Sequence, residues 1–415
     1  MSHAGHSHSF PDGAEHESPV AEPAVARVLW SVVGVLVGLT VIATIVMWPS
    51  NDRFGDDASA VEGRTVHARV LSVRFDDCSF DPASSCRVVS ASVTEGDRAG
   101  EVFVIEQDAD GIGKRPDKGD DIIVSADESI DGTVRYNFYD YERSSSLLWL
   151  SAIFVGAVVV LGRRRGAGAV AGLIASVLVI VAFLIPAILE GQNAVLVALV
   201  AAVLIAVIAL FLAHGLNVAT AVALLASYAA MTLTVALAYV FVRVGSLTGF
   251  ADEDTQFLSV LDVPIDPRGL LLAGVLIGSL GVLDDVTVTQ VSVVWELRRL
   301  NPDADWYWIY QRAIRVGRDH ISSTVNTLFL AYAGASLSLL LVFAQTGRSL
   351  ASVATSEVVA VEIVRALVGS IGLVASVPIA TALAALILRS RTGPPPPPRR
   401  YPKPTTRRPA SIADD

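Results

Sequence analysis

The chain has 415 residues, 53% of them hydrophobic and 17% charged, with a mean hydropathy of +0.55. A soluble domain carries about 25% charged residues, and this chain holds several apolar runs longer than about 18 residues, enough to cross a hydrocarbon core, so a wholly soluble fold is excluded. The formal charge of −10 is concentrated: residues 49–145 hold 11 Lys and Arg against 21 Asp and Glu, which argues against nucleic acid as a partner.

In chain order, residues 1–24 are polar and rich in His, Ser, Pro and Glu, a composition that predicts a disordered tail. Residues 25–48 form the first span, which has no small-residue cleavage pattern before Pro49 and reads as an uncleaved signal anchor. Residues 49–145 then read as a small all-β domain. Its β-branched, alternating runs are Thr65–Val73, Arg87–Val93, Glu101–Gln107, Asp120–Ser125 and Thr133–Tyr141, punctuated by Gly and Asp clusters. Five short strands in this length suit an OB-like barrel, with a sandwich as the alternative. Cys78 and Cys86, the only cysteines, both fall there. An even pair in an oxidising compartment points to a disulfide.

Residues 146–388 are predicted to hold seven more spans, at 146–162, 166–189, 194–213, 218–242, 269–290, 321–345 and 358–388. The fold class is thus an α-helical polytopic membrane protein of about eight spans with one exported all-β domain. Arginine placement sets the orientation. Arg163–Arg165, Arg298, Arg299, Arg312, Arg315, Arg318 and the basic tail at 389–415 all land on one side, and the acidic loop with Asp252, Glu253, Asp254, Asp262 and Asp266 lands on the other with the β domain. Both termini are therefore expected in the cytoplasm. The Pro-rich tail from Pro394 reads as disordered, its positive charge placed to meet anionic lipid.

Polar groups inside a bilayer are costly and need a reason. Asp285, Thr289, Ser292 and Glu296 recur at helical steps on one face, which continues backward through Gly281, Gly278 and Gly274. This predicts a glycine stripe for close packing that turns polar at Asp285, about 24 Å below Gly269. A short amphipathic segment follows, with Trp306, Ile309, Tyr310, Ala313, Ile314 and Gly317 on one face and arginines on the other, the pattern of an interfacial anchor. The next span opens with Asp319, His320, Ser323 and Asn326, and Asn326 lies at a depth comparable to that of Asp285. Two polar faces at one depth form either a structural hydrogen-bond cluster or an ion and substrate path.

The segments Leu283-Asp284-Asp285-Val286-Thr287-Val288-Thr289-Gln290 and Gly317-Arg318-Asp319-His320, with Asn326-Thr327-Leu328-Phe329-Leu330-Ala331-Tyr332-Ala333-Gly334 continuing the second, resemble the two signatures of the YibE/F family of bacterial membrane proteins. The resemblance extends over roughly residues 60–388. It implies a multi-span protein of permease type with no established substrate. The family pattern carries one acid where this chain has Asp284-Asp285, so the resemblance leaves open which of the two is the functional equivalent. Arginine dominance, with Lys114, Lys118 and Lys403 the only lysines, agrees with a high-GC bacterial origin.

Other features read as structural. His3, His6, His8 and His16 sit in the tail, where nothing fixes a metal geometry. Asp108-Ala109-Asp110-Gly111 begins like a calcium loop, but Gly119 stands where the bidentate Glu belongs. His214 and Asn217 suit helix caps, Glu190 and Asn193 a solvated loop, and Pro186 and Pro378 helix kinks. No nucleophile elbow, zinc-binding His pair or phosphate-cradling Gly-rich loop is present, so no enzyme activity, cofactor or metal is expected.

The reading that results is a secondary permease in the bacterial cytoplasmic membrane, with lipid and a small solute or ion as partners. Its site lies between the sixth and seventh spans: Asp284 or Asp285 exchanging a proton or binding a cation, Thr289, Gln290 and Asn326 as neutral ligands, and Asp319 and His320 at the cytoplasmic mouth. The triples 166–242 and 269–388 would enter the membrane from opposite sides, as inverted repeats do. The alternative is a non-transporting scaffold or sensor whose exported β domain binds an envelope ligand or partner.

Overall fold

A computed structural model describes residues 22–50, 64–79, 84–109, 115–128, 134–251, 253–260 and 264–388. The expectations for the tail through residue 21 with its four histidines, for Asp110, Gly111, Asp252 and Asp262, and for the basic tail 389–415 lie outside the described residues.

Helix α1 (Pro23–Val46) opens with proline in its first turn, where the missing N–H costs nothing. The β unit follows, as β1 (Arg64–Asp77), β2 (Ser85–Val93), β3 (Val102–Asp108), β4 (Asp121–Glu128) and β5 (Val134–Tyr141). These strands form one antiparallel sheet in the order β3-β2-β1-β4-β5. β1 serves two partners: Arg64–Arg69 pairs with β4, and Ala68–Asp77 pairs with β2 through a register shift between Val70 and Ser72. The two edge strands meet across the sheet, where Phe103 of β3 stacks on Tyr136 of β5 at 4.1 Å. Ala68, Val70, Val89, Ala91, Ile122 and Val124 fill the space inside. A disulfide joins Cys78 and Cys86, both buried, at the β1–β2 hairpin.

The helical unit runs α2 (Ser144–Val179), a widened π turn (Ile180–Leu184), α3 (Ile185–Leu189), α4 (Ala194–His214), α5 (Val218–Val244), α6 (Glu253–Val260), α7 (Pro267–Leu300), α8 (Trp306–Ala335), α9 (Leu337–Gln345), α10 (Leu350–Ala354) and α11 (Glu357–Ile387). Among the described residues six helical stretches are long and apolar enough to cross a membrane, or seven if α8 and α9, bent by 59°, count as one broken span. That count takes Ser144–Leu189 as one stretch, although the two spans expected there, 146–162 and 166–189, fall on two helices that meet at a kink. Arg163 makes the break at φ 51°, ψ −128°, a region that costs a non-glycine residue. Just beyond, a side chain at Gly166 would collide with the Val158 carbonyl. Pro186 does not simply kink its helix; lacking an N–H and crowding the preceding turn, it sits just past the π turn.

The core of this unit is built from small residues. Ala198, Ala201 and Ala202 of α4 and Ala221, Ala223 and Ala226 of α5 are fully or almost fully buried, which lets backbones approach where no hydrophobic force drives helices together in lipid. α5 and α11 also approach closely, where a Cβ on Gly372 would strike Thr234 Oγ1. α1 docks on this core through Trp30 stacked on Phe211, and Trp48, just past its end, stacks on Phe183. Val28, Leu39, Leu148, Leu161 and Ile174 on α1 and α2 are exposed, the surface that a bilayer covers. At one end of the bundle Glu357 accepts from the Thr248 hydroxyl at 2.8 Å and the Gly249 N–H at 2.9 Å, tying the start of α11 to the loop after α5.

Candidate functional site

α7 carries the first signature. Asp266 caps it by accepting from the Arg268 and Gly269 N–H groups, and Pro267 occupies the first turn. Its packed face is Leu276, Leu280, Leu283, Val286, Thr287, Gln290, Val291 and Val294, all buried. The stripe singled out from the sequence is the opposite face: Gly274, Gly278, Gly281, Asp285, Thr289, Ser292 and Glu296 are all exposed. The glycines there do not bring two backbones together. Gly281 has no neighbour within 4 Å of a built Cβ, while the Arg365 guanidinium reaches Gly274 and the Tyr332 hydroxyl reaches Gly278. The expected close-packing stripe is instead an exposed face, with Arg365 and Tyr332 lying near two of its glycines.

Asp284, one step round the helix, behaves differently. It is partly buried, and its Oδ1 is shut off from solvent with no hydrogen-bond partner. The Ser227 hydroxyl of α5 faces its carboxyl. Ser227 Oγ lies 2.6 Å from Thr287 Oγ1, and Thr287 Oγ1 lies 3.0 Å from the Asp284 carbonyl oxygen. Two proton arrangements fit this chain. Thr287 donates to the Asp284 carbonyl and Ser227 donates to Thr287, which leaves Ser227 a lone pair for a protonated Asp284. Alternatively Thr287 donates to Ser227, whose own proton then serves a carboxylate. The hydroxyl pair thus lies beside the acid, its own protons free to be arranged either way. A cavity of about 10 Å³ lies beside Ser227, between α4, α5 and α7, room for at most one water.

One turn further, Gln290 is buried and its amide donates to the Ala313 carbonyl of α8 at 2.9 Å and to Thr381 Oγ1 of α11 at 2.7 Å. Gly317 makes this possible, because a Cβ there would stand 2.5 Å from Val377 Cγ1 and 2.8 Å from Gln290 Oε1. Below it, Arg298 donates to the Pro302 and Ala304 carbonyls and closes the turn into α8. Towards the other end, Glu362 and Arg365 of α11 form an ion pair at 2.9 Å inside a span, with Tyr332 within electrostatic reach.

Of the residues predicted from sequence, the structure therefore brings Asp284 and Gln290 into the packed interior. Asp285, Thr289, Asp319, Ser323 and Asn326 are exposed, and His320 is partly buried with Nε2 enclosed and unpartnered. The two polar faces do not satisfy one another, because α8 meets the core through Ile309, Ala313 and Gly317. The amphipathic segment from Trp306 also does not stand alone but runs into the following span as one 30-residue helix. Asn217 does cap α5, accepting from the Thr220 N–H at 2.9 Å, and Glu190 accepts from Ser50 at 3.0 Å. Sequence reasoning missed Ser227, Thr287 and Thr381, which look like ordinary helical hydroxyls. It also missed Glu362 and Arg365, whose charges within an apolar run were a visible signal. Among the described residues no three His, Cys, Asp or Glu side chains group to hold a metal.

The YibE/F-like protein family matches residues 150–390, more than half of the chain. The chain belongs to this family. The matched region takes in the helices from within α2 to the end of α11, including both polar clusters, and the β unit lies before it. The chain matches no curated protein and no solved structure. Family membership thus agrees with a membrane-embedded protein whose described part is mostly helical, with six to seven apolar helices long enough to cross a bilayer.

Proposed function

We propose that this YibE/F-like protein is a secondary permease of the bacterial cytoplasmic membrane, moving a small solute or ion in exchange for protons at Asp284. The observation that carries the reading is the Asp284 carboxyl: it sits within a span, has one oxygen enclosed and unpartnered, and lies beside the Ser227–Thr287 hydroxyl pair. An ionisable group at such a place is costly unless it works. This reading gives the role to Asp284 rather than to its exposed neighbour Asp285.

The rest of the reading is built around that site. Ser144–Leu189 has 46 residues, about 69 Å if straight and more than two hydrocarbon thicknesses. The break at Arg163 divides it into two crossings, which gives eight spans with the bent pair counted once. The arginines then collect in the cytoplasm with both termini, and the β unit is exported as an OB-type barrel that closes where Phe103 meets Tyr136.

The test is reconstitution in liposomes loaded with a pH indicator, challenged from outside with a panel of small inorganic and organic ions. At least one should drive a proton movement in the wild type that Asp284→Asn abolishes and Asp285→Asn retains. Proton-silent behaviour towards every solute would leave the scaffold reading in its place.

A further inference from the structure

A second polar feature lies apart from Asp284, where the corner after Arg163, the end of α4, the start of α5 and the last turns of α7 converge. They enclose a cavity of about 270 Å³. Its rim is polar and cationic: Arg165 and Arg299 are joined by His214 and by Asn217 at the head of α5. Its wall is apolar, with Ala223, Val288 and Val291. Trp295 stands between the two, as an indole does at the boundary of a bilayer.

The charge at this rim is not balanced. Glu296 is the one acid among the residues lining the cavity, and it is paired with Arg299 at 2.6 Å. Arg165 has no ion-pair partner among the described residues and is exposed at the opening. The 27-residue helix α5 also begins here; Asn217 takes the Thr220 N–H, and the positive end of the helix faces the same opening. A guanidinium presents a planar fork that suits phosphate oxygens.

We propose that this cavity binds a phosphate group of net negative charge, with an attached apolar chain lying along Val288 and Val291. The site takes a phosphate because an unpaired guanidinium and a helix start converge on one opening. It takes an amphipathic one because the wall behind the rim is apolar. The proposal does not rest on the transport reading, since it needs neither Asp284 nor any movement of the helices. An anionic phospholipid supplies both parts.

The full-length protein in detergent, titrated with short-chain phosphatidylglycerol, short-chain phosphatidylcholine and inorganic phosphate, tests this by its thermal midpoint and by native mass spectrometry. Phosphatidylglycerol is expected to stabilise and remain bound, the zwitterionic lipid is not, and Arg165→Gln should weaken binding about tenfold. Ser292→Asp adds a negative charge to the same cavity while leaving Arg165 in place, and should lower affinity in the same way if Arg165→Gln fails to fold. Arg243→Gln, distant in the chain and stacked on Tyr239, should change nothing. Equal, Arg165-dependent protection by inorganic phosphate would show that no apolar chain is recognised and would overturn it. Phosphatidylglycerol binding that neither Arg165→Gln nor Ser292→Asp weakens, or no preference for net negative phosphate, would overturn it.

Discussion

Replacing Gln290 by Leu removes a side chain that joins three helices in the core near Asp284. Two hydrogen bonds are lost, to the Ala313 carbonyl and to Thr381 Oγ1. Neither partner is stranded: a helical carbonyl keeps its backbone bond, and Thr381 still donates to the Val377 carbonyl at 2.6 Å. The cost is therefore that of the bonds themselves. Interhelical hydrogen bonds in a membrane average about 0.6 kcal/mol, so the pair is worth about 1.2 kcal/mol, and a value near 3 kcal/mol would be the ceiling for two neutral bonds. Leucine has a similar volume, so little cavity is added. Equilibrium unfolding in mixed micelles measures the loss, and a double-mutant cycle with Thr381→Val should return a coupling of about 0.6 kcal/mol. A loss below about 0.3 kcal/mol, or full additivity with Thr381→Val, would refute the reasoning that Gln290 knots α7, α8 and α11.

The other predictions concern packing and the β unit. Gly372→Ala should lower stability by about 1–3 kcal/mol, because the new Cβ meets Thr234 Oγ1, and Thr234→Ala should restore part of it in the same unfolding assay. Replacing Cys78 and Cys86 by Ser opens a loop with a sequence separation of 8, which by loop entropy costs about 2.5 kcal/mol, read as an earlier loss of β-sheet circular dichroism. Arg69 donates to Asp121 and holds its carboxyl below the usual range, and Arg143 does the same for Asp140. Carboxyls with lowered folded values stabilise above the unfolded value and lose that contribution as pH falls through the folded one. The β-sheet signal should thus be insensitive to pH between about 8 and 5 and weaken below about 4, with a shallower decline in Asp121→Asn.

How far the sequence could be read depended on what each signal measures. Apolar length located the membrane helices, since crossing a bilayer fixes a minimum run, but not the ends of Pro267–Leu300 and Trp306–Ala335, which run ten or more residues past the apolar stretch; the β-branched runs located all five strands. The boundary expected between residues 162 and 166 coincides with the kink at Arg163, because the arginines there end the apolar run. For the site, helical periodicity grouped Asp285, Thr289 and Ser292 correctly on one face, but periodicity does not say which face packs. The polar stripe was taken for the working interior, whereas buried packing chose the side with Leu283, Val286 and Gln290 and carried Asp284 inward. Ser227 illustrates the remaining limit: sixty residues separate it from Thr287, and only the α5–α7 contact makes its hydroxyl more than an ordinary helical one.

The central claim is that water reaches Asp284 from one side of the membrane and then the other. The most direct measurement places a cysteine at Ser227, keeps Cys78 and Cys86 joined, and tests modification by small membrane-impermeant thiol reagents applied separately to each face. Modification from both faces, slowed from each side by a pH gradient that favours the opposite opening and protected by a coupled solute, is the result predicted. A thiol that stays unmodified from either face in intact membranes, yet reacts on unfolding, would make the Asp284 cluster a sealed packing contact and contradict the permease.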